Sequence, residues 1–312
     1  MLKYIAQRLA MSIPVFLGVA TIVFLVVRVI PGDPAVAALG DYASKEAVEA
    51  LRQRMGLDEP LPVQYVRFLG SLAQGDLGRS MITGTSIRDD ILRALPYTLE
   101  LTVLAIIIGT LLGIPIGVYT AIRRNRLADY IGRVLSLAGL SVPAFYLGIL
   151  LILLLAIQFN WLPAVGGGGM DDLRENLSHL VLPALTLGLV MTASVARLVR
   201  SAMLNVLRQD YVRTARAKGL KERVVHLRHA LRSALIPIVS VTGIWAVSLI
   251  GDSVTVEVVF ARPGLGKMMV GAILQRDYTA LQSIMVVYTG FVVVINLVVD
   301  LIYGWVDPRI RH

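Results

Sequence analysis

The chain has 312 residues, of which 56% are hydrophobic and 16% are charged, and it contains no cysteine. Soluble domains average about 25% charged residues, so this composition argues against a soluble globule, and the lack of cysteine excludes disulfides, thiolate metal sites and cysteine catalysis. The net charge of +9 would suggest a nucleic-acid partner in a soluble protein, but in a membrane protein the placement of Lys and Arg indicates topology, and we predict no nucleic-acid partner.

Six apolar stretches are long enough, or nearly long enough, to cross a membrane, which takes about 20 residues of helix. Helix is the expected conformation because a segment in hydrocarbon must satisfy its own backbone N–H and C=O groups. The sequence therefore predicts an all-α polytopic membrane protein with six transmembrane helices. These spans are predicted over residues 9–30, 98–122, 132–158, 179–198, 234–256 and 284–305.

The first span follows Lys3 and Arg8, a pattern that also begins secretory signal peptides. Residues 35–37 (AVA) resemble a signal cleavage site. The apolar core of a signal peptide is about 7–15 residues long, however, and this run is longer. We therefore predict a retained transmembrane helix within residues 1–30, with a cleaved signal peptide as the alternative.

The segment between the first two spans, residues 31–97, is too long for a turn and too polar for lipid. Within it, residues 44–55 place two glutamates near the start and two arginines near the end, as the helix macrodipole favours. Residues 64–72 form a second, shorter amphipathic pattern. We predict a small folded segment on the outer face of the membrane, followed by a permease core over residues 98–305.

Three glycines of the second span, Gly109, Gly113 and Gly117, share one face of the predicted helix. This small-xxx-small spacing permits close approach of another helix. We interpret the face as packing within the helix bundle, with a seam to a second chain as the alternative.

Most of the 30 basic residues fall on one side of the six-span topology, with few acidic residues beside them. Cytoplasmic loops of membrane proteins carry such an excess of Lys and Arg. The N-terminus and the C-terminal tail, residues 306–312, are therefore predicted to be cytoplasmic. The predicted location is a bacterial or archaeal cytoplasmic (inner) membrane.

The longest basic loop, residues 197–232, contains a predicted short helix over residues 210–219. Asp210 is the expected N-cap, and Arg216 and Lys218 fall in the last turn, where cations suit the macrodipole. Gly219 stands where a left-handed residue ends many helices. Positive-inside anchoring alone would explain the charges, but it does not explain a capped helix.

No residue pattern indicates chemistry carried out by this chain alone. Residues 264–267 (GLGK) lack the upstream glycine of a phosphate-binding loop, and Met268 stands where its magnesium-binding hydroxyl belongs. The four histidines show no metal-binding spacing, and no serine lies in a nucleophile elbow. We therefore predict no catalytic residue, no metal site and no cofactor bound by this chain, which disfavours a membrane-embedded enzyme.

The same loop carries a family resemblance. Residues 211–220 (YVRTARAKGL) and 228–237 (RHALRSALIP) resemble the cytoplasmic loop of the dipeptide/oligopeptide/nickel-type permeases of binding-protein-dependent ABC importers. The likeness extends along nearly the whole chain. It includes PGDP at 31–34, LPYT at 95–98, LPALTLG at 182–188, EVVF at 257–260 and PGLG at 263–266.

The resemblance implies a type I importer permease fold and the B-type, the first of two paired permease subunits. The partners that it implies are a second, homologous permease, two cytoplasmic ABC ATPases that bind ATP and magnesium, and an extracytoplasmic substrate-binding protein. Membrane lipid is expected to surround the two permeases. It also implies that the short loop helix docks on an ATPase. The residues expected to couple this chain to the ATPase are Tyr211, Arg213, Thr214, Ala215, Arg216 and Gly219.

Two departures from the wider permease superfamily fall in this loop. Arg213 and Thr214 stand where that superfamily has Glu and Ala, and Arg232 replaces a later proline. The peptide-type branch commonly shows such departures, so the docking role of the helix is still expected.

Charged residues within or near the spans usually face protein or water. Arg28, Glu100, Asp252 and Asp300 lie within or near the apolar runs. Snorkelling or pairing explains the three nearer to the span ends. Asp252 lies deeper, and we predict a translocation path past Asp252, Ser253 and Glu257, where a carboxylate would receive a cationic group of the substrate. The alternative, equally weighted, is that Asp252 pairs with an arginine of the second permease.

The predicted function is the permease subunit of an ATP-driven importer for peptides or similar small solutes. Members of the resembled family transport dipeptides, oligopeptides, nickel, glutathione, sugars and opine-like compounds, and selectivity is expected mainly in the binding protein. The alternative is an ion-driven secondary transporter that acts alone. That class usually has inverted repeats around a midplane site, and the two halves of this sequence show no convincing repeat.

Overall fold

The structure of the chain, a computed structural model, describes residues 2–29, 34–39 and 43–306. Over these residues the chain is mostly helical and forms no β-strand, although Arg79 and Ser86 form one isolated antiparallel bridge. The all-α prediction is confirmed. In chain order the α-helices are α1 (Leu2–Val29), α2 (Pro34–Leu39), α3 (Lys45–Met55), α4 (Leu61–Ala73), α5 (Ile87–Ile122), α6 (Leu127–Ser141), α7 (Ala144–Leu151), α8 (Leu173–Val206), α9 (Asp210–Ala217), α10 (Glu222–Val224), α11 (Leu231–Val259), α12 (Leu265–Leu274) and α13 (Tyr278–Val306). Two π-helical segments, Ile152–Gln158 and Val225–Ala230, directly follow α7 and α10.

Among the described residues, five helices are long and apolar enough to cross a membrane, and the number is six if a bent helix pair is counted as one span. The pair is α6 and α7 with its π-helical extension, and the two parts are bent by 105°. The prediction of one continuous helix over residues 132–158 is therefore wrong. The break falls at Val142, which is extended (φ −89°, ψ 121°) because a proline disfavours the α conformation in the residue before it.

Two of the spans are longer than their apolar stretches indicate. α5 begins at Ile87 rather than at residue 98, with two aspartates in its first turn, where the macrodipole favours carboxylates. α8 begins at Leu173 rather than at residue 179, because the Asp172 carboxylate accepts hydrogen bonds from two backbone N–H groups of its first turn at 2.9 and 3.1 Å. Polar first turns thus extend both helices beyond the segment that hydropathy detects.

The chain divides into two compact units. The main segment of the first unit is Thr98–Arg262, and the second unit consists of Ala6–Tyr97 and Pro263–Val294. The core of the first unit is built around α8, which packs against α6, α7 and α11. The middle of α8 is buried on nearly all sides, so it behaves as a core helix rather than a lipid-facing one.

The glycine face of α5 packs directly on α8 in the first unit. A Cβ atom at Gly109 would lie 2.6 Å from the Met191 side chain, and one at Gly113 would lie 2.7 Å from Val195. At Gly117 a Cβ atom would lie 2.6 Å from a backbone oxygen of α8. Real side chains do not approach this closely, so only glycine permits the contact. The interpretation of this face as packing within the bundle is confirmed.

In the second unit, the two short helices expected after the first span are present. Ser44 caps α3 by accepting a hydrogen bond from a backbone N–H at 3.2 Å, and Gly56 ends the helix in the left-handed conformation (φ 64°). α4 begins slightly earlier than predicted. Its Tyr65 and Phe68 rings pack on Phe24 of α1, with ring centroids 5.2 and 5.5 Å apart, so α4 is held by aromatic contacts.

The remaining sequence expectations have different outcomes. α12 is an additional helix in the second unit, and it begins within the PGLG motif. Most of the PGDP motif, residues 31–33, and all but the first residue of the tail 306–312 lie outside the described residues.

Candidate functional site

The short helix α9 is held in the first unit by a narrow apolar face. Val212 and Ala215, one turn apart, are buried against Val225 of the following π-helical segment. Val206 and Leu207, at the end of α8, complete the cluster. Residues three apart share a helix face, so one face of α9 is fixed and the rest is left to solvent.

The exposed side of α9 carries most of the predicted coupling residues. Tyr211 is 44% exposed, and the Arg213 side chain is 74% exposed, with Nη1 3.4 Å from Asp210 Oδ1. Thr214 Oγ1 donates to the Asp210 carbonyl at 3.0 Å, while Ala215 lies on the buried face. An exposed aromatic ring and an exposed arginine are residue types enriched in protein–protein interfaces.

The ends of α9 differ in one respect from the prediction. The N-cap is Gln209 and not Asp210, which is the first helical residue. Its carboxylate still lies in the first turn, where the macrodipole favours it. Gly219 follows the helix with φ 76°, as predicted, and its N–H donates to the Arg216 carbonyl at 2.9 Å. A Cβ atom there would meet nothing within 4 Å, so the backbone conformation, and not lack of space, favours glycine.

A set of ion pairs connects α9 to the next helical segment. Arg216 Nε donates to Glu222 Oε1 at 2.9 Å, and Nη2 lies 3.4 Å from Oε2. His226 Nε2 lies 2.9 Å from the same Glu222 carboxylate. The described residues contain no group of three or more metal-binding side chains. The contact with Glu222 holds His226 in the turn between α9 and α11.

A second, buried ion pair fixes the start of α6 to α8. Nε and Nη2 of Arg200 donate to the two Asp129 carboxylate oxygens at 2.6 and 3.0 Å. The Asn125 N–H donates to Asp129 Oδ2 at 2.9 Å, and Asn125 is left-handed (φ 62°). Asp129 is fully buried. Because both carboxylate oxygens accept hydrogen bonds, the pair fixes the turn between α5 and α6.

The three predicted path residues lie in different environments on α11. Asp252 is partly exposed, next to Gly251, where a Cβ atom would meet nothing within 4 Å. Ser253 is buried, and its Oγ donates to a carbonyl of the preceding turn at 2.8 Å. Glu257 is also buried, and its Oε1 accepts a hydrogen bond from Thr98 Oγ1 at 2.6 Å. Ser253 and Glu257 are therefore interior residues of the first unit, whereas Asp252 is accessible.

A buried polar network near the end of α11 was not predicted. Arg262 is fully buried and forms an ion pair with Glu100 Oε1. The same Arg262 nitrogen, Nη2, donates to Asn176 Oδ1 at 3.0 Å, and Asn176 Nδ2 donates to Glu100 Oε2 at 2.8 Å. Glu100 therefore pairs rather than snorkels. The only sequence signal for Arg262 was a cation directly after an apolar span.

Models of two protein families match the chain. The model described as "Binding-protein-dependent transport system inner membrane component" matches residues 113–312. The model described as "Binding-prot-dependent transport system membrane comp, N-term" matches residues 1–102. Together they account for nearly the whole chain.

Curated relatives are similar from end to end. The dipeptide transport system permease protein DppB of Alkalihalophilus pseudofirmus is 38% identical over 333 residues, and the match covers 100% of both chains. The glutathione transport system permease protein GsiC of Pectobacterium atrosepticum is 42% identical over 313 residues, again with 100% coverage of both. The di/tripeptide transport system permease protein DppB of Pseudomonas aeruginosa is 40% identical over 338 residues and covers 100% of this chain and 99% of its own length.

A solved structure has the same fold. It is an inward-facing conformation of the MetNI methionine ABC transporter, with a TM-score of 0.55 and 21% identity, and the match covers 70% of this chain and 96% of that one. At this identity the likeness concerns the fold alone, which is the type I importer permease fold expected from the sequence.

Proposed function

The chain belongs to the family of binding-protein-dependent transport system inner membrane components, and from this premise we propose that it is the permease subunit of an ATP-driven importer of peptides or similar small solutes. The observation that carries the proposal is the end-to-end similarity to permeases named for dipeptides, di/tripeptides and glutathione. An ion-driven transporter that acts alone does not fit this family, which is defined by its dependence on a binding protein.

We propose the following partners, each for a physical reason. A second, homologous permease would complete the translocation path, and an extracytoplasmic binding protein would deliver the substrate. Two ABC ATPases would bind ATP and magnesium, because residues 264–267 lack a phosphate-loop pattern. Hydrolysis would then take place outside this chain, which would not be an enzyme itself.

The coupling of this chain to an ATPase would run through α9. Its open surface, with Tyr211 and Arg213, suits docking into a groove of the ATPase. Movement of α9 would pass to α8 and α11 through the buried Val212 cluster and through the pair of Arg216 with Glu222. ATP shifts the equilibrium between inward-open and outward-open states only as far as it binds the two states differently.

The proposed orientation has both chain termini in the cytoplasm of an inner membrane. The basic loop that contains α9 then lies on the cytoplasmic side, where ATP is available. The accessible carboxylate of Asp252 is proposed to lie on the translocation path, where it would attract the ammonium group of a peptide or a basic side chain.

The test is reconstitution of this chain with its partner subunits in lipid vesicles that enclose ATP. We expect uptake of a radiolabelled dipeptide only when the second permease, the ATPases and the binding protein are all present. A matched preparation with an ATPase variant that binds but does not hydrolyse ATP should not sustain uptake. Uptake by this chain alone, driven by a proton or sodium gradient, would contradict the proposal.

A further inference from the structure

The second unit contains a cavity of about 400 Å³ that the coupling mechanism does not use. Its walls are formed by the end of α1, by α4, by the segment around Asp76 and by the first turns of α13. Small-molecule sites in proteins measure about 300–1,000 Å³. The cavity is therefore large enough for a molecule of the size of a dipeptide.

One wall of the cavity presents an arginine in a fixed orientation. Arg28 Nε donates to Gln64 Oε1 at 2.9 Å, and Nη1 donates to Gln282 Oε1 at 3.1 Å. The guanidinium carbon lies 3.7 Å from the centre of the Phe24 ring, a distance typical of a cation–π contact. These contacts hold the guanidinium group in place before any ligand binds.

The orientation of Gln64 is itself fixed by the backbone. Its amide nitrogen donates to the carbonyls of Leu57 and Glu59 at 3.2 and 2.8 Å. The oxygen of the same amide must then face Arg28. Supporting hydrogen bonds of this kind are found where a protein positions a binding group accurately.

No acidic side chain of the described residues neutralises Arg28. Its hydrogen-bond acceptors, two glutamine amides and the Phe24 carbonyl, are all neutral, and Nη2 makes no hydrogen bond to the described part of the chain. A partly buried cation without a counter-ion is costly. A carboxylate that entered the cavity would relieve this cost and accept charge-assisted hydrogen bonds from the guanidinium group.

The cavity wall also contains a carboxylate without a cationic partner. Asp76 Oδ1 accepts a hydrogen bond from the Gly78 N–H at 2.9 Å, and Asp76 forms no ion pair with a described residue. Arg67, which lines the same cavity, is already paired with Glu59 at 2.6 Å. Among the described residues of the wall, the charges without an ion pair are thus one guanidinium group and one carboxylate.

We infer that this cavity binds small zwitterionic solutes, with the solute carboxylate on Arg28 and its ammonium group towards Asp76. The inference rests on the proposed function, because peptides with free ends are such solutes. Recognition of the two ends alone leaves the side chains of the peptide unselected, which suits a permease whose selectivity lies in its binding protein.

The test is equilibrium dialysis with the permease–ATPase complex, prepared without the binding protein so that this receptor does not contribute to the measured peptide binding. The probes are Ala-Ala, its C-terminal amide and its N-acetyl derivative. We expect the amide to bind roughly tenfold more weakly than Ala-Ala, because a charge-assisted pair is lost. The N-acetyl derivative should also bind more weakly, since it lacks the ammonium group.

Variants locate the effect in this cavity. Arg28→Gln should abolish the preference for Ala-Ala over the amide, and Asp76→Asn should abolish the preference over the N-acetyl derivative. Arg79→Gln is the matched control, because Arg79 is exposed in the same unit, outside the cavity, and it should keep both preferences. If Arg28→Gln fails to assemble, Arg28→Lys decides, since it keeps the charge but loses the planar fork and should weaken Ala-Ala several-fold.

Two outcomes would overturn the inference. One is equal binding of Ala-Ala and its amide to the wild-type complex, and the other is an unchanged preference in the Arg28 variants. ATP-driven uptake by the complete transporter separates this inference from the proposed function. If the complete transporter takes up peptide but dialysis shows no difference between Ala-Ala and its amide, the proposed function stands and the binding site is refuted. If binding depends on Arg28 but no uptake occurs, the binding site stands and the proposed function is refuted.

Discussion

The first unit contains two polar regions that are built in opposite ways. Around Arg262, polar side chains are bonded to one another, with Arg262 and Asn176 buried and Glu100 25% exposed. Around α9, the apolar residues are enclosed and the polar ones point outward, as with Arg213. In the first region the polar side chains bond to one another. In the second, polar side chains remain accessible to solvent or to a partner protein.

Substitutions in the buried region should therefore affect folding, whereas those on the exposed surface of α9 should affect transport. Removing one member of a buried ion pair leaves the other charge without a partner, which is strongly destabilising. Removing an exposed charge usually changes stability by less than about 0.5 kcal/mol.

Arg262→Met should have the largest effect. It leaves the buried Asn176 and the partly exposed Glu100 without their cationic partner, and we expect a loss of about 3 kcal/mol. Thermal unfolding of the purified chain in detergent, followed by circular dichroism, measures the change. Arg213→Met on the exposed face of α9 is the control and should unfold like the wild type; equal losses in the two variants would refute the contrast.

Asp129→Asn should have a smaller but clear effect. The neutral amide weakens the two charge-assisted hydrogen bonds from Arg200, at a cost of about 2 kcal/mol. The matched control is Glu222→Gln, which weakens the exposed pair with Arg216 and should cost less than about 1 kcal/mol. The same unfolding assay compares them, and a larger loss in the Glu222 variant would reverse the ranking.

Gly219→Val should affect transport more than stability. A β-branched residue at φ 76° costs about 1–2 kcal/mol, but no neighbour would clash with it. We expect normal insertion and assembly, with ATP-driven uptake largely lost because the exit of α9 is displaced. Gly219→Asn is the control, since Asn tolerates the left-handed conformation, and it should keep most of the uptake. Full uptake by the valine variant would show that the α9 turn is not a coupling element.

Asp252→Asn should leave stability nearly unchanged, because the carboxylate is partly exposed and not part of the buried network. If Asp252 lies on the path, uptake of a cationic dipeptide such as Lys-Ala should fall several-fold relative to Ala-Ala. The ratio of the two uptake rates is the measurement, and Ser248→Ala, at another position of α11, is the control. An unchanged ratio would favour the alternative, an ion pair with the second permease.

Much of the fold follows from local patterns in the sequence. Apolar runs of sufficient length located the spans, and Ser44 and Gly56 bounded α3 as capping chemistry predicts. Helix ends were less accurate, because the first turns of α5 and α8 are polar while their backbone continues the helix. Hydropathy detects the apolar segment, and not the point at which backbone hydrogen bonding stops.

The parts that sequence did not predict depend on distant residues. Glu100 and Arg262 are 162 positions apart in the chain, and nothing local assigns one to the other. The hydrogen bond from Thr98 to Glu257 is likewise between distant residues, and the path role of Glu257 stays a prediction. For α9 the situation is reversed. Its turn at Gly219 is local and was predicted, while the proposed contact with an ATPase would involve another chain.

The glycine face of α5 has a mechanical consequence. At Gly109, Gly113 and Gly117 the backbone of α5 lies against α8 without an intervening α5 side chain. The two helices are therefore in close contact along this face. If α8 slid along α5, the Met191 and Val195 side chains would have to pass over the α5 backbone, which close packing resists. A displacement of α8 at its junction with α9 should therefore move α5 and α8 together. Any hinge of the first unit must then lie outside this helix pair.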